Sequence, residues 1–208
     1  MNSRPHRIRL LAFSLIEMMI TLLISTVVIA GIYSFVAKTR KTATVQRLRA
    51  DTESIAQIAF FIIGRDIRRA GSNPAGAMGY SAGAVIPIGI ASSDQIQIYA
   101  DLNGNGSIDP VSDENITYQY IDNPDSPDGV KDEIRRQAGN HLVIENVRAF
   151  DLSYQVIGHT DWITTAADPS LIRLVRLHMV AGTGRVNPNT GTEDTKEIQM
   201  DFKLRNFR

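Results

Sequence analysis

The sequence contains no cysteine, so disulfide bonds cannot hold its loops. A domain in an oxidising compartment often relies on disulfides, and here packing, hydrogen bonds or a metal must take their place. The sequence also lacks a phosphate-binding glycine loop, the ligand spacing of a zinc site and a recognisable acid–base pair. We therefore expect a protein that is not an enzyme.

An excess of basic charge is missing as well. Lysine and arginine together number 22, and aspartate and glutamate also number 22. Arg4, Arg7 and Arg9 lie in residues 1–12, a stretch without any acidic residue. Removing these three from the 22 basic residues leaves 19 against 22 acidic ones, a net charge of −3. Since nucleic-acid-binding domains are normally basic, we expect no nucleic-acid partner.

Charged residues are also absent from residues 18–37, and this absence predicts a membrane helix. About 20 residues at a rise of ~1.5 Å each span the ~30 Å hydrocarbon core of a bilayer. We assign residues 13–37 to this segment, and Glu17 is the only acidic residue within it. Because a carboxylate at the centre of a bilayer costs about 2.5–3.5 kcal/mol, we expect Glu17 to have a function.

The stretch FSLIEMMITLL, which begins at Phe13, resembles the N-terminus of type IV prepilins and type II secretion pseudoprepilins. Members of that family have a short basic leader, a cleavage site before Phe and a Glu at the fifth mature position. The resemblance implies that prepilin peptidase cuts between Ala12 and Phe13, and that Phe13 becomes the N-methylated terminus. It also implies that Glu17 pairs with the terminus of a neighbouring subunit and so sets the register of assembly. The family usually has Gly at the position of Ala12.

The resemblance and the apolar pattern together imply a domain organisation. Residues 1–12 form the leader, residues 13–37 the transmembrane and assembly helix, residues 38–71 its amphipathic continuation, and residues 72–208 a β-rich periplasmic domain. The resemblance places the leader in the cytoplasm and the helix in the bacterial inner membrane, from which the subunit later enters a surface pilus. The expected partners are prepilin peptidase, the inner membrane and other pilins, minor pilins or pseudopilins.

The helix is predicted to continue past the membrane segment as far as Ala70. Residues spaced three and four apart form the seam of an amphipathic helix, namely Val45, Leu48, Thr52, Ile55, Ala59 and Ile62. Gly64 is the position at which we expect a bend, and Gly71 is a natural C-cap. The alternative is a separate soluble helix that begins after a break near residues 38–41.

The rest of the sequence alternates apolar and polar residues, which predicts β-strands. The clearest strand is the last one, whose apolar face consists of Ile198, Met200, Phe202 and Leu204. Residues 133–136 and 141–147 are expected to form a hairpin through Gly139 and Asn140, a favourable turn dipeptide. One polar and one apolar face per strand indicate antiparallel sheets packed on the helix seam. The predicted fold class is α+β.

A narrower resemblance covers three segments. The sequences AQIAFFIIGRDIRRAG, NVRAFDLSYQV and MDFKLRNFR, at residues 56–71, 146–156 and 200–208, resemble those of PilW-type minor pilins. Pseudopilin J of type II secretion has a similar helix ending, so a minor pseudopilin is an alternative to a minor pilin. A third alternative, of another class, is an uncleaved membrane-anchored domain that binds calcium or a ligand.

The loop DLNGNGSIDPVSDE is the best candidate for a metal site. Its oxygen-bearing residues follow the spacing of a calcium loop, namely Asp101, Asn103, Asn105, Ser107 and Asp109. Ser112 stands where such loops have a bidentate Glu, and Asp113 or Glu114 is the candidate to replace it. The alternative is a solvated loop whose Asn, Asp and Gly residues favour turns. Calcium is the only cofactor that the sequence suggests.

Overall fold

The computed structural model describes residues 14–72, 86–109, 112–122, 131–136 and 141–204. The described part contains one long helix, a 3₁₀ turn and eight strands. Their bounds are α1 Leu15–Arg69, β1 Ile88–Ala91, β2 Gln95–Tyr99, β3 Asn115–Asp122, β4 Lys131–Arg136, β5 His141–Ile144, β6 Val147–Val156, the 3₁₀ turn Pro169–Leu171, β7 Ile172–Val186 and β8 Glu193–Lys203. The predicted α+β class is confirmed.

The chain divides into two compact units, Met1–Gln46 and Arg47–Arg208. In the first unit, every large apolar side chain from Leu15 to Val36 is exposed. This part of α1 is long and apolar enough to cross a membrane. Its hydroxyl groups bond to the helix itself; the Ser25 hydroxyl, for example, donates to the Thr21 carbonyl oxygen at 2.7 Å. Such internal bonds suit an apolar surrounding, which offers no water to polar groups.

The second unit contains two antiparallel sheets. Five strands form one sheet in the order β1-β2-β3-β4-β5, and three strands form the other in the order β6-β7-β8. The predicted hairpin pairing is confirmed, since β4 and β5 pair with Arg136 opposite His141. The predicted strand 141–147 is too long, because β5 ends at Ile144 and Val147 begins β6 in the other sheet. The turn of the hairpin, with Gly139 and Asn140, lies outside the described residues. Every strand therefore pairs with its neighbour in the sequence, which explains why local alternation predicts this architecture.

The helix is unbroken through residues 38–41, but its buried face differs from the predicted seam. The prediction is wrong for Ile55, which is 50% exposed. Val45 and Ala59 of the predicted seam are buried as expected. The full buried row also contains Ala56, Phe60, Ile63 and Ile67. Isoleucines and phenylalanines also occupy the opposite face of α1, so hydrophobicity alone does not identify the inward face. Small residues at 56 and 59 suit close contact with the sheets.

Gly64 marks a close approach of α1 to β8. The helix continues through this position to Arg69, and a Cβ atom added at Gly64 would collide with the ring of Phe202 on β8. The predicted end at Gly71 agrees with the structure, because Gly71 has a φ of 70°. Its N–H group donates to the carbonyl oxygen of Tyr99 at 2.8 Å, which ties the end of α1 to the five-stranded sheet.

Candidate functional sites

The first candidate site is the start of α1. Glu17 lies in its first turn, where one carboxylate oxygen accepts a hydrogen bond from the Ser14 N–H at 3.0 Å. A carboxylate at this end suits the partial positive charge of a helix N-terminus. Among the residues that the structure describes, Glu17 has no cationic partner. Ala12 and Phe13, the predicted cleavage and methylation residues, lie outside the described residues.

The predicted calcium loop is folded around a buried carboxylate. Asp101 is fully buried, and its two carboxylate oxygens accept the N–H groups of Gly104 at 2.7 Å and Gly106 at 3.0 Å. The Asn103 side-chain oxygen accepts from the Asn105 N–H at 2.8 Å. These bonds explain the Asn and Gly content of the loop, because short polar side chains hold turns and Gly106 has a φ of 82°.

A second buried carboxylate, that of Glu114, closes the same loop. One of its oxygens accepts the N–H groups of Leu102 and Asn103, at 2.9 and 3.0 Å, and the other accepts the Asp109 N–H at 3.0 Å. These backbone bonds, chiefly that from Asp109, hold the pKa of Glu114 below its ordinary value. The alternation of β3 could have predicted that Glu114 is buried, since Glu114 continues the buried row of Ile116 and Tyr118.

Asp113, the predicted replacement ligand, faces away from these bonds. Its carboxylate pairs with Arg136 on β4 at 2.8 Å, and the hydrogen bond from Arg136 lowers the pKa of Asp113. Of the two candidate replacement ligands, Glu114 is therefore the one that bonds to the loop, in which Asp101, Asn103, Asn105, Ser107 and Asp109 lie.

The loop has oxygen atoms for a cation, but most of its carboxylate oxygens already accept N–H groups. Each such oxygen retains a second lone pair. Within the described parts of the chain, no group of three or more His, Asp or Glu side chains is arranged to hold a metal ion. Asparagine oxygens and carbonyl groups would have to supply the remaining ligands. The calcium site stays a prediction.

Near the end of α1 lies a buried acidic residue, Asp66, that was not predicted from the sequence. Asp66 is buried and accepts the hydroxyl of Tyr118 at 2.8 Å. Arg65 and Arg69 approach the other oxygen at 3.1 and 3.2 Å, and Arg136 lies 3.7 Å away. Burial and the Asp66 charge raise the pKa of Tyr118. This cluster connects the helix to β3 and β4.

The inner row of β8 contacts α1 at three positions. Asp194 pairs with Arg49 at 2.7 Å, Lys196 pairs with Glu53 at 2.9 Å, and Phe202 packs on Gly64. The sequence predicted only the apolar members of this row. The two charged members were missed because their partners lie more than 140 residues away in the sequence.

An apolar groove lies beside this contact. Its volume is about 330 Å³, and its lining includes Phe61 of α1 together with Ile198 and Met200 of β8. Phe61 is 65% exposed and Met200 is 48% exposed. Large apolar side chains that remain exposed in a group mark surfaces for interaction.

Comparison with models of known protein families and with curated proteins gives no match for this chain.

Proposed function

We propose that this protein is a minor pilin of a type IV pilus, a structural subunit that enters or primes the filament. The observation that carries the proposal is the sequence around Glu17: a basic leader, Phe13 and then one acidic residue in an otherwise uncharged apolar helix. The described part of this helix adds a reason, because its large apolar side chains from Leu15 to Val36 are exposed.

The fold is compatible with this role. One long N-terminal helix precedes a domain of antiparallel sheets, and the helix has the length and composition to anchor the chain in a membrane. In the proposed pathway, prepilin peptidase cuts before Phe13 and the helix leaves the inner membrane to pack among other pilins. The C-terminal domain, on the periplasmic side, then contacts neighbouring minor pilins.

Glu17 has the properties that the assembly step requires. A carboxylate without a cationic partner, as Glu17 is among the described residues, is costly in an apolar surrounding. The charged terminus of a neighbouring subunit would remove that cost only in one register. Glu17 would thereby specify how subunits align, while its contribution to the stability of the free chain stays small.

The test is mass spectrometry of the N-terminus, applied separately to sheared surface filaments and to washed membranes. We expect a chain that begins with methylated Phe13 in the filament fraction. An intact Met1 leader in both fractions would show that Ala12 prevents processing and would contradict the proposal. That result would favour the uncleaved membrane-anchored domain instead.

The same measurement separates the pilin from a type II secretion pseudopilin. The helix ending at residues 56–71 resembles both classes, so the pseudopilin is the second candidate. A processed Phe13 terminus that is confined to membranes, in cells that also carry surface pili, would favour the pseudopilin.

A further inference from the structure

The edges of the two sheets differ in how they are covered. The edge of β6 bonds to other segments: Leu152 donates to the carbonyl of Ser93 at 2.8 Å, and Tyr154 and Ile163 exchange two hydrogen bonds at 2.8 and 2.9 Å. On β1, the carbonyl of Ala91 accepts the Ala166 N–H at 3.3 Å. The remaining edge of the five-stranded sheet, β5, has only four residues.

The edge of β8 is long and open by comparison. The strand has 11 residues, and its register with β7 is unbroken from Lys203 opposite Leu174 to Thr195 opposite Gly182. Within the described residues, the backbone of β8 makes hydrogen bonds only to β7. Half of its backbone N–H and C=O groups therefore point away from the sheet, without a partner in the described part of the chain.

Protection of this edge is confined to its first half. Inward-facing charges are one device that keeps an edge strand from pairing, and Asp194 and Lys196 face inward here, held by Arg49 and Glu53. From Ile198 to Phe202 the inner row is apolar, without proline or bulge. The groove beside Met200 adjoins this unprotected half.

The chemistry of the edge defines what fits it. A row of free backbone groups is satisfied by an extended strand and not by a helix. Side chains on the inner row of that strand would enter the groove lined by Phe61 and Met200, so they should be apolar. The outer row would face the acidic residues Glu197 and Asp201, with Gln199 between them and Lys203 at the end of the strand. These carboxylates contact His178 and Arg176, yet their side chains stay 73% and 42% exposed.

We propose that β8 is a docking edge for an extended strand of another polypeptide, with apolar side chains at alternate positions and lysine or arginine between them. Backbone hydrogen bonds along residues 197–203 would supply affinity, and the groove would select the apolar side chains. This inference concerns the second unit alone and does not depend on the proposed pilus function.

The test uses the full chain in detergent micelles and a short peptide of alternating lysine and valine. We expect the peptide to bind and to slow hydrogen exchange at backbone amides of β8. A peptide of the same sequence with every backbone nitrogen methylated keeps the charge and side chains but loses all of its backbone donors. If it bound equally well, the attraction would be electrostatic only and the proposal would be overturned.

A pair of variants locates the site. Met200→Lys places a charge at the groove, and we expect binding to weaken roughly tenfold, the change that about 1.4 kcal/mol of binding free energy produces. Met200→Leu keeps the apolar surface and should bind as the parent chain does. Because Met200 is half exposed, both variants should unfold at the same denaturant concentration as the parent. The proposal fails if the lysine peptide does not bind the parent chain, or if it binds the Met200→Lys variant equally.

Discussion

The two units use apolar residues in different ways, although both contain part of α1. In the first unit the large apolar side chains from Leu15 to Val36 surround the helix on all sides and are exposed. In the second unit one row, from Ala56 to Ile67, is buried against the sheets, and the opposite side is mixed. A helix that is apolar all round requires an apolar surrounding, whereas a helix with one buried row already has its partner within the chain.

The comparison suggests that the first unit gains its stability from a membrane or neighbouring helices, and the second from its own core. The polar groups agree with this division. Glu17 has no cationic partner among the described residues, while the buried Asp66 is surrounded by Tyr118 and three arginines. Each of the following changes alters one unit and has a matched control in the other or on its surface.

The largest expected effect is that of Glu17→Ala on assembly. Insertion into the membrane should persist, because loss of the carboxylate removes a transfer cost of about 2.5–3.5 kcal/mol at the bilayer centre. Incorporation into filaments should be lost, because the pairing partner for a neighbour's terminus is gone. The measurement is the amount of the variant in sheared filaments relative to membranes. Glu53→Ala, which removes only the surface ion pair with Lys196, should assemble normally.

Normal incorporation of the Glu17→Ala chain would show that the carboxylate is dispensable. The pairing argument would then have to be abandoned, although the membrane segment would be unaffected.

Truncation of equivalent isoleucines should separate the two units by stability. Ile63→Ala creates a cavity in the core, where Ile63 is fully buried, and should lower the free energy of unfolding by about 2–5 kcal/mol. Ile24→Ala changes an exposed side chain and should leave the free energy of unfolding unchanged. Urea unfolding in detergent micelles, followed by fluorescence of the single tryptophan, Trp162, measures both. Equal losses for the two variants would contradict the division.

Two glycine substitutions in the same helix should have opposite effects on stability. Gly64→Ala puts a methyl group against the ring of Phe202 and should destabilise the second unit by about 1–3 kcal/mol, the usual cost of overpacking. Gly31→Ala meets nothing within 4 Å and should favour the helix by about 0.5–1 kcal/mol. The first change is measured by urea unfolding and the second by circular dichroism on heating in micelles. A neutral Gly64→Ala would mean that Phe202 moves aside freely.

The sequence predicted much of the fold, because the relevant signals are local. Alternation identified the strands, and each strand pairs with its sequence neighbour. The inward face of α1 was predicted less well, since Ile55, Ile58 and Phe61 are as apolar as the residues that are buried. The Asp66 cluster could not be predicted, because Tyr118 and Arg136 reach it only through the sheet. The open edge of β8 could not be predicted either, because whether a strand lies at the edge of a sheet depends on the positions of the other strands.

Acid should weaken the loop around Asp101 through Glu114. The folded-state pKa of Glu114 is lowered by backbone hydrogen bonds, so its carboxylate adds stability above the unfolded-state pKa of about 4.3. This contribution is lost as the pH falls through the lower, folded-state pKa. Glu114→Gln should therefore be less stable than the parent at neutral pH and should approach it in acid. Thermal unfolding across this pH range tests the expectation, with the exposed Glu145→Gln as the control.

The smallest expected effect is that of calcium on the same loop. If the predicted site forms, calcium at about 10⁻⁴–10⁻³ M, the range of extracellular modules, should raise the unfolding temperature, and a chelator should reverse it.

Asp113→Ala and Glu114→Ala then distinguish the two candidate ligands. Because Asp113 pairs with Arg136 while Glu114 faces the loop, we expect the calcium response to survive the first change and to disappear with the second. Asp101→Ala should abolish it too. A parent chain that does not respond to millimolar calcium would leave the loop with a purely structural role, in which Asp101 and Glu114 serve the backbone N–H groups alone.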